Sequence, residues 1–186
     1  MKYKEIRAVF DDSTIRVYQA YNKVIAKEAV ERGSFGENFK LNRMTWIKPS
    51  FLWMMYRCDW GTKKNQENIL AIDIKRDAFD YLINNAICST FSEEKFHGYE
   101  EWKEKIKTSD IRVQWDPERD VYGNSLGYRS IQIGLRGEAV KKYVTEWIVS
   151  ITDITEYVTE LYNMRNSKKD IIELLPNEKI YHLKSC

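Results

Sequence analysis

Histidine, cysteine and proline are scarce in this sequence, and each scarcity removes a class of chemistry. The 186 residues include 2 His, 3 Cys and 3 Pro. His97 and His182 stand in unrelated segments and there is no Cys-x-x-Cys, so no zinc site of His and Cys, and no other metal site, is expected. Cys58, Cys88 and Cys186 are an odd number at wide spacing, which points to reduced thiols and a cytoplasmic location. No GxxxxGK[ST] run, no GxGxxG after a strand and no GxSxG occurs, so P-loop, dinucleotide-fold and serine-hydrolase readings lack their motifs. Ser50 has no histidine partner for nucleophilic attack. No apolar run approaches a membrane span, and Met1-Lys-Tyr-Lys-Glu-Ile6 has no apolar stretch behind its charges, so neither membrane insertion nor a secretory signal is expected. An excess of one charge is missing too. Against 30 Lys and Arg stand 28 Asp and Glu, a net charge of +2, so nucleic-acid binding would need a local basic patch.

What is present is a globular composition, 43% hydrophobic and 31% charged, expected to form one domain over residues 1–186. Its most distinctive stretch is Arg43-Met-Thr-Trp-Ile-Lys-Pro-Ser-Phe-Leu-Trp-Met-Met-Tyr-Arg57. Pro49 fixes its own φ and pushes Lys48 towards an extended conformation, while suiting the first turn of a helix. The stretch reads as a strand Met44–Lys48, a corner, and a helix from Pro49 or Ser50 that is apolar all round and buried. Arg43, Lys48 and Arg57 around such a corner could hold an anion or simply flank a core helix.

Thr14–Tyr21 alternates as a strand, with Ile15, Val17, Gln19 and Tyr21 on one face. Gln19 on that face must find partners, either in neighbouring backbone or in a substrate at the strand end. Asn22 caps a helix that Gly33 ends, with Val24, Ile25 and Ala29 as its inner stripe and Ala26 and Val30 as further candidates for it. Phe35 and Phe39 anchor the loop that follows. Glu67–Ile74 reads as a strand, Arg76–Ala86 and Glu93–Lys107 as helices, and Ile111–Trp115 and Tyr128–Leu135 as a hairpin pair. A helix is expected from Gly137 to about Val149 and another from Thr155 to Met164, with a short edge strand around Pro176. No internal repeat or linker interrupts the chain. The fold class is α+β, a mixed and mostly antiparallel sheet with helices packed around it.

Trp115-Asp-Pro-Glu-Arg-Asp120 ends a strand in carboxylates that could hold a metal, do acid–base chemistry, pin a ribose hydroxyl or merely form a turn. In Tyr128-Arg-Ser-Ile-Gln-Ile133, Tyr128, Ser130 and Gln132 share a face that is either solvent or cleft.

Together the segments Arg7–Asp11, Val17–Tyr21, Arg43–Arg57, Gln114–Arg119 and Arg129–Leu135 resemble the family called domain of unknown function 4291, over nearly the whole chain. That name implies no activity. The order of strand, helix ending at Gly33, strand and helix opening at Pro49-Ser50 is also similar to the ADP-ribosyltransferase core. This second resemblance implies NAD as the substrate and a protein, nucleic acid or small molecule as acceptor. It places Gln19 at the nicotinamide end of NAD, Thr45, Trp46 or Ser50 around the nicotinamide ribose, and Glu118 or Gln132 as the residue orienting the ribose and acceptor. Tyr21 would line the same site. Nicotinamide would leave through an oxocarbenium-like state, with Glu118 bonded to a ribose hydroxyl and Lys48, Arg43 and Arg129 on the pyrophosphate. The departures are that no His or Arg stands at Gln19 and that Glu118 follows its strand. The competing expectation is a non-catalytic RNA- or nucleotide-binding module that stacks bases on exposed Trp46, Trp53, Trp60 and Trp115.

Overall fold

Alternation in Thr14–Tyr21 builds the strand at the centre of the molecule. A computed structural model describes residues 3–93 and 95–183; Cys186 and the first two residues, Met1 and Lys2, lie outside the described residues. In chain order the elements are β1 (Tyr3–Lys4), β2 (Arg7–Ala8), β3 (Thr14–Tyr21), α1 (Lys23–Arg32), β4 (Thr45–Ile47), α2 (Phe51–Cys58), β5 (Asn68–Lys75) and α3 (Arg76–Asn84). They continue with β6 (Ile87–Cys88), α4 (Tyr99–Thr108), β7 (Ile111–Arg119), β8 (Ser125–Leu135), α5 (Gly137–Lys142), β9 (Ile148–Asp153), α6 (Thr155–Asn166) and β10 (Lys179–Ile180).

β3, β5 and β9 form one antiparallel sheet in that order. The other main sheet is built on the β7–β8 hairpin. β6 lies parallel to β7, and the free edge of β8 is shared by β1 along one half and β4 along the other. One backbone hydrogen bond, from Tyr18 N–H to the Lys48 carbonyl at 2.7 Å, ties β3 to the end of β4. Through that join the two sheets curl into half a barrel. The fold is α+β with mostly antiparallel strands.

Ile15 and Val17 point into the core between the sheets, among Ile47, Ile131, Ile133 and Leu135. Tyr18 points the other way, into a second core with Phe51, Met54 and Met55 of α2 and Val158 and Leu161 of α6. β3 is therefore buried on both faces. α2 is apolar on most sides, as its sequence predicts, although Tyr56 is exposed. Truncating a fully buried side chain there, such as Met55→Ala, should cost about 2–5 kcal/mol.

Local signals account for the boundaries around β3. The Asn22 side chain accepts from Ile25 N–H at 3.1 Å, and Gly33 closes α1 at φ 69°, a left-handed conformation that glycine adopts without steric penalty.

Four expectations are corrected. The helix expected to reach Val149 ends in a π-helical turn at Trp147, and Ile148–Asp153 pairs with β5 as β9. That segment, Ile-Val-Ser-Ile-Thr-Asp, is β-branched and meets a free sheet edge. The helix expected from Glu93 starts at Tyr99, because Gly98 takes an extended, non-helical conformation. Val24, placed on the inner stripe of α1, is 60% exposed, while Ala26 and Ala29 of the same stripe pack inward as expected. The edge strand lies beyond Pro176, where β10 pairs with β2.

Candidate functional site

The corner at Pro49 works locally as its sequence demands. β4 stops at Ile47, the Lys48 carbonyl accepts from Tyr18, and Pro49 has no N–H to leave unpaired. Ser50, extended at ψ 126°, caps α2 by accepting Trp53 N–H at 3.2 Å.

On the β3 side of this corner lies a cleft of about 790 Å³. Its lining combines the end of β3, the start of α1, the 38–46 segment, Lys48, Met54 and the Asn65–Gln66 loop. Gln19, Tyr21, Arg43, Thr45, Trp46 and Lys48 all face it. The sequence therefore named six residues that the fold brings together.

Gln19 is buried and fully engaged. Its Nε2 donates to Thr45 Oγ1 at 2.7 Å and Tyr21 Oη at 2.8 Å, with the Trp46 carbonyl at 3.3 Å. Its Oε1 accepts from Tyr143 Oη at 2.8 Å, and the Tyr21 and Thr45 hydroxyls are 3.0 Å apart. Burial pushes the Tyr21 and Tyr143 phenols up, so both stay protonated.

Lys48 is the outlier of the lining. It is 6% exposed, and the one hydrogen bond of its amine among the described residues is a long contact of 3.4 Å to the Trp46 carbonyl. No carboxylate among the described residues lies within ion-pair distance of it. Burial, and then Arg57, lower its amine to about 8, against weaker opposing influences from Cys58 and Asp116. Arg43, by contrast, stands exposed at the rim.

Trp46 owes its position to a glycine. It pairs with Gly134 of β8, where an added Cβ would fall 2.8 Å from Met44 Sδ and 3.0 Å from Trp46 Cη2. Any side chain at Gly134 would push on that ring.

The remaining four predicted residues lie outside the cleft lining. Arg129 donates Nε and Nη2 to the Trp115 carbonyl at 3.0 and 2.6 Å. Gln132 donates to Asp116 Oδ2 at 2.8 Å, and Gln114 holds Oδ1 of the same carboxylate at 2.9 Å. Ser50 and Glu118 meet in a separate buried group. Glu118 lies within β7, not beyond its end, at a register break between Pro117 and Arg119. A proline without an N–H interrupts the ladder there.

Burial raises the Glu118 carboxyl despite hydrogen bonds from Ser50, Ser130 and the Arg119 N–H. Beside it, Glu178 accepts Phe51 N–H at 2.6 Å, and burial together with the Glu118 charge takes its carboxyl to about 8. Arg7 tempers both carboxylates.

Trp53 and Trp60, expected to be exposed for stacking, are core residues; Trp46 and Trp115 are half-buried. Cys58 is buried, with its thiol pushed up to about 11, which makes it a poor nucleophile. Sequence reasoning did not find Tyr143, Lys40, the Asn65–Gln66 loop or Glu178. Their roles depend on chain segments meeting in space, and no local pattern marks them.

Fold and site define an α+β protein with a cation-lined cleft where two sheets meet. The chain belongs to the family described as domain of unknown function (DUF4291), whose model matches residues 5–181. No curated protein matches it. No helix among the described residues is long and apolar enough to cross a membrane.

Proposed function

We propose that this protein binds a nucleotide in the cleft between β3 and β4, with NAD as the first ligand to test. The observation that carries the reading is the charge of the lining. Lys40, Arg43 and Lys48 supply cations, and no aspartate or glutamate stands among the residues that line the cleft. A concavity charged in one sense concentrates ligands of the other. Its volume lies within the roughly 300–1,000 Å³ usual for small-molecule and cofactor sites. The half-buried Trp46 ring offers a surface for a base or nicotinamide, and its indole needs no particular base identity.

ADP-ribosyl transfer to a protein, nucleic acid or small molecule is the enzymatic form of this reading, and the resemblance to the ADP-ribosyltransferase core supports it. That reaction needs a carboxylate beside the ribose. Glu118, the candidate for the role, is no part of the lining. This favours a second reading, in which the nucleotide is bound and not consumed.

Thermal unfolding with millimolar NAD, ADP-ribose or ATP tests the binding. A ligand at a hundred times its Kd stabilises the native state by about 2.7 kcal/mol, a shift of several degrees. No shift with any of the three contradicts the proposal. Release of nicotinamide from NAD, abolished in a folded Glu118→Gln variant, would select transfer; binding without release selects the second reading.

A further inference from the structure

The group behind the cleft floor has one hydrogen too many. Gln19 Nε2 carries two hydrogens, and Tyr21, Thr45 and Tyr143 carry one each on their hydroxyls. The Trp46 carbonyl beside Nε2 fixes which way the amide faces, since Oε1 in that place would oppose another carbonyl oxygen. Tyr143 gives its hydrogen to Gln19 Oε1, and the two amide hydrogens go to Thr45 Oγ1 and Tyr21 Oη as the shortest contacts. The Tyr21–Thr45 contact then uses the hydrogen of only one of those two hydroxyls. Whichever donates, the other keeps an O–H with no acceptor in the group, and both residues line the cleft.

Lys48 lines the same cleft as this hydroxyl pair. Both Nζ and Gln19 Nε2 are within 3.4 Å of the Trp46 carbonyl, so the ammonium and the amide group share one small region. An ammonium has hydrogens and no lone pair, and one long contact leaves most of its capacity unused. This part of the floor has donor hydrogens to spare.

We propose that Lys48 Nζ and the surplus hydroxyl of the Tyr21–Thr45 pair form an oxyanion seat, which takes a phosphate or carboxylate group of the ligand at the floor of the cleft. The inference rests on the reading of the cleft as a ligand site and adds an orientation. The anionic group goes deepest, and the nicotinamide or base lies towards Trp46 and the rim. That reverses the placement of nicotinamide at Gln19 implied by the transferase resemblance. A fully engaged Gln19 amide is in keeping with the reversal, since it has no hydrogen left for a carboxamide.

The lowered amine supplies a second signature. Arg57, Cys58 and Asp116 are the charged or titratable groups that act on Lys48, and burial outweighs them. An oxyanion in the seat favours the charged amine, so binding near pH 8 takes up a proton.

The test is isothermal titration calorimetry on the full chain at pH 8, in two buffers of different ionisation enthalpy, with inorganic phosphate, pyrophosphate, AMP, NAD and acetate as probes. The seat predicts binding with uptake of about 0.4 proton, for an amine raised by a unit or more from near the working pH. Lys48→Met should weaken binding at least tenfold and remove the uptake, and this variant is expected to fold more stably than the parent. Thr45→Val and Tyr21→Phe should each weaken binding a few-fold. Because either hydroxyl can supply the surplus hydrogen, the double variant should lose more than the product of the two.

Acetate bound as well as phosphate, with the same dependence on Lys48, supports the seat and names carboxylates as its source. Preference for the phosphate probes supports it and names phosphates. NAD binding that ignores Lys48→Met overturns the seat and leaves the nucleotide reading standing. Oxyanion binding that depends on Lys48 while AMP and NAD fail to bind upholds the seat and overturns the nucleotide reading. No binding by any probe overturns both.

Discussion

Lys48 and Ser50 stand two residues apart, yet the Pro49 corner assigns them to buried polar groups that handle charge in opposite ways. On the Ser50 side, Glu118 and Glu178 are enclosed by donors from the protein itself: two serine hydroxyls, the backbone N–H groups of Phe51 and Arg119, and the nearby Arg7. Burial still raises both carboxyls, Glu178 to about 8. On the Lys48 side the neighbouring side chains bond one another and leave the ammonium a single long contact. One group is closed on itself and serves as a structural joint between α2, β7 and the approach to β10. The other is left incomplete where it faces open space. A buried charge that the protein satisfies is weak evidence for a ligand, and a buried charge that it leaves unsatisfied is much stronger evidence.

The sharpest way to break this comparison is to remove the unsatisfied charge. A lysine held at about 8 against an ordinary 10.5 loses about 3 kcal/mol of stability wherever it must be charged, at 1.36 kcal/mol per pKa unit. Its folded pKa is depressed, so between pH 8 and about 10.5 the unfolded chain binds more protons, and stability rises with pH across that window. Lys48→Met should therefore raise stability by about 1–3 kcal/mol at pH 7, with the advantage fading between pH 8 and 10.5; urea unfolding across that range checks it. Loss of stability on substitution would mean that Lys48 is satisfied after all.

The carboxylate side predicts the opposite slope. Glu178 is raised from 4.5 to about 8, so the folded chain holds its proton longer. Its contribution is fully present below pH 4.5 and is lost as pH rises towards 8. Glu178 keeps part of its surface, which reduces the expected loss to about 1–3 kcal/mol. Glu178→Gln should flatten this decline between pH 5 and 8, as followed by melting temperature. A decline of unchanged steepness would place its cause elsewhere.

Two smaller effects sharpen the cleft side. Tyr143→Phe leaves Gln19 Oε1 without its donor in a buried place and should cost about 1–2 kcal/mol by denaturant unfolding. Gly134→Ala drives a methyl against Met44 and Trp46, and should cost about 1 kcal/mol while weakening nucleotide binding several-fold as the ring shifts. Unchanged binding in a folded Gly134→Ala variant would remove Trp46 from the ligand's surroundings.

Much of this arrangement was legible in the chain. The Asn22 cap, the Gly33 stop and the Pro49 corner are local devices, and local devices show in sequence. Gln19 stood out as an amide in a row of buried apolar positions, and Lys48 as a cation beside a helix made almost wholly of apolar side chains. What stayed hidden depends on distant meetings. β9 follows a helix without a break, and only the free edge of β5 makes Ile148–Asp153 a strand. Tyr143 reaches Gln19 across more than a hundred residues of chain, and Glu178 approaches Phe51 from the far end. Glu118 could be identified as a candidate but not placed, since the turn of β7 at Pro117 decides which side of the sheet receives its carboxyl.

The most direct test is the titration of the Lys48 side chain itself, by NMR of protein labelled at lysine Cε and Nζ, alone and with saturating pyrophosphate or ADP-ribose. An amine near 8 in the free protein that moves upward with ligand is what an unsatisfied cation kept for an oxyanion must show. An amine at the ordinary value of about 10.4, unmoved by either ligand, would contradict the account.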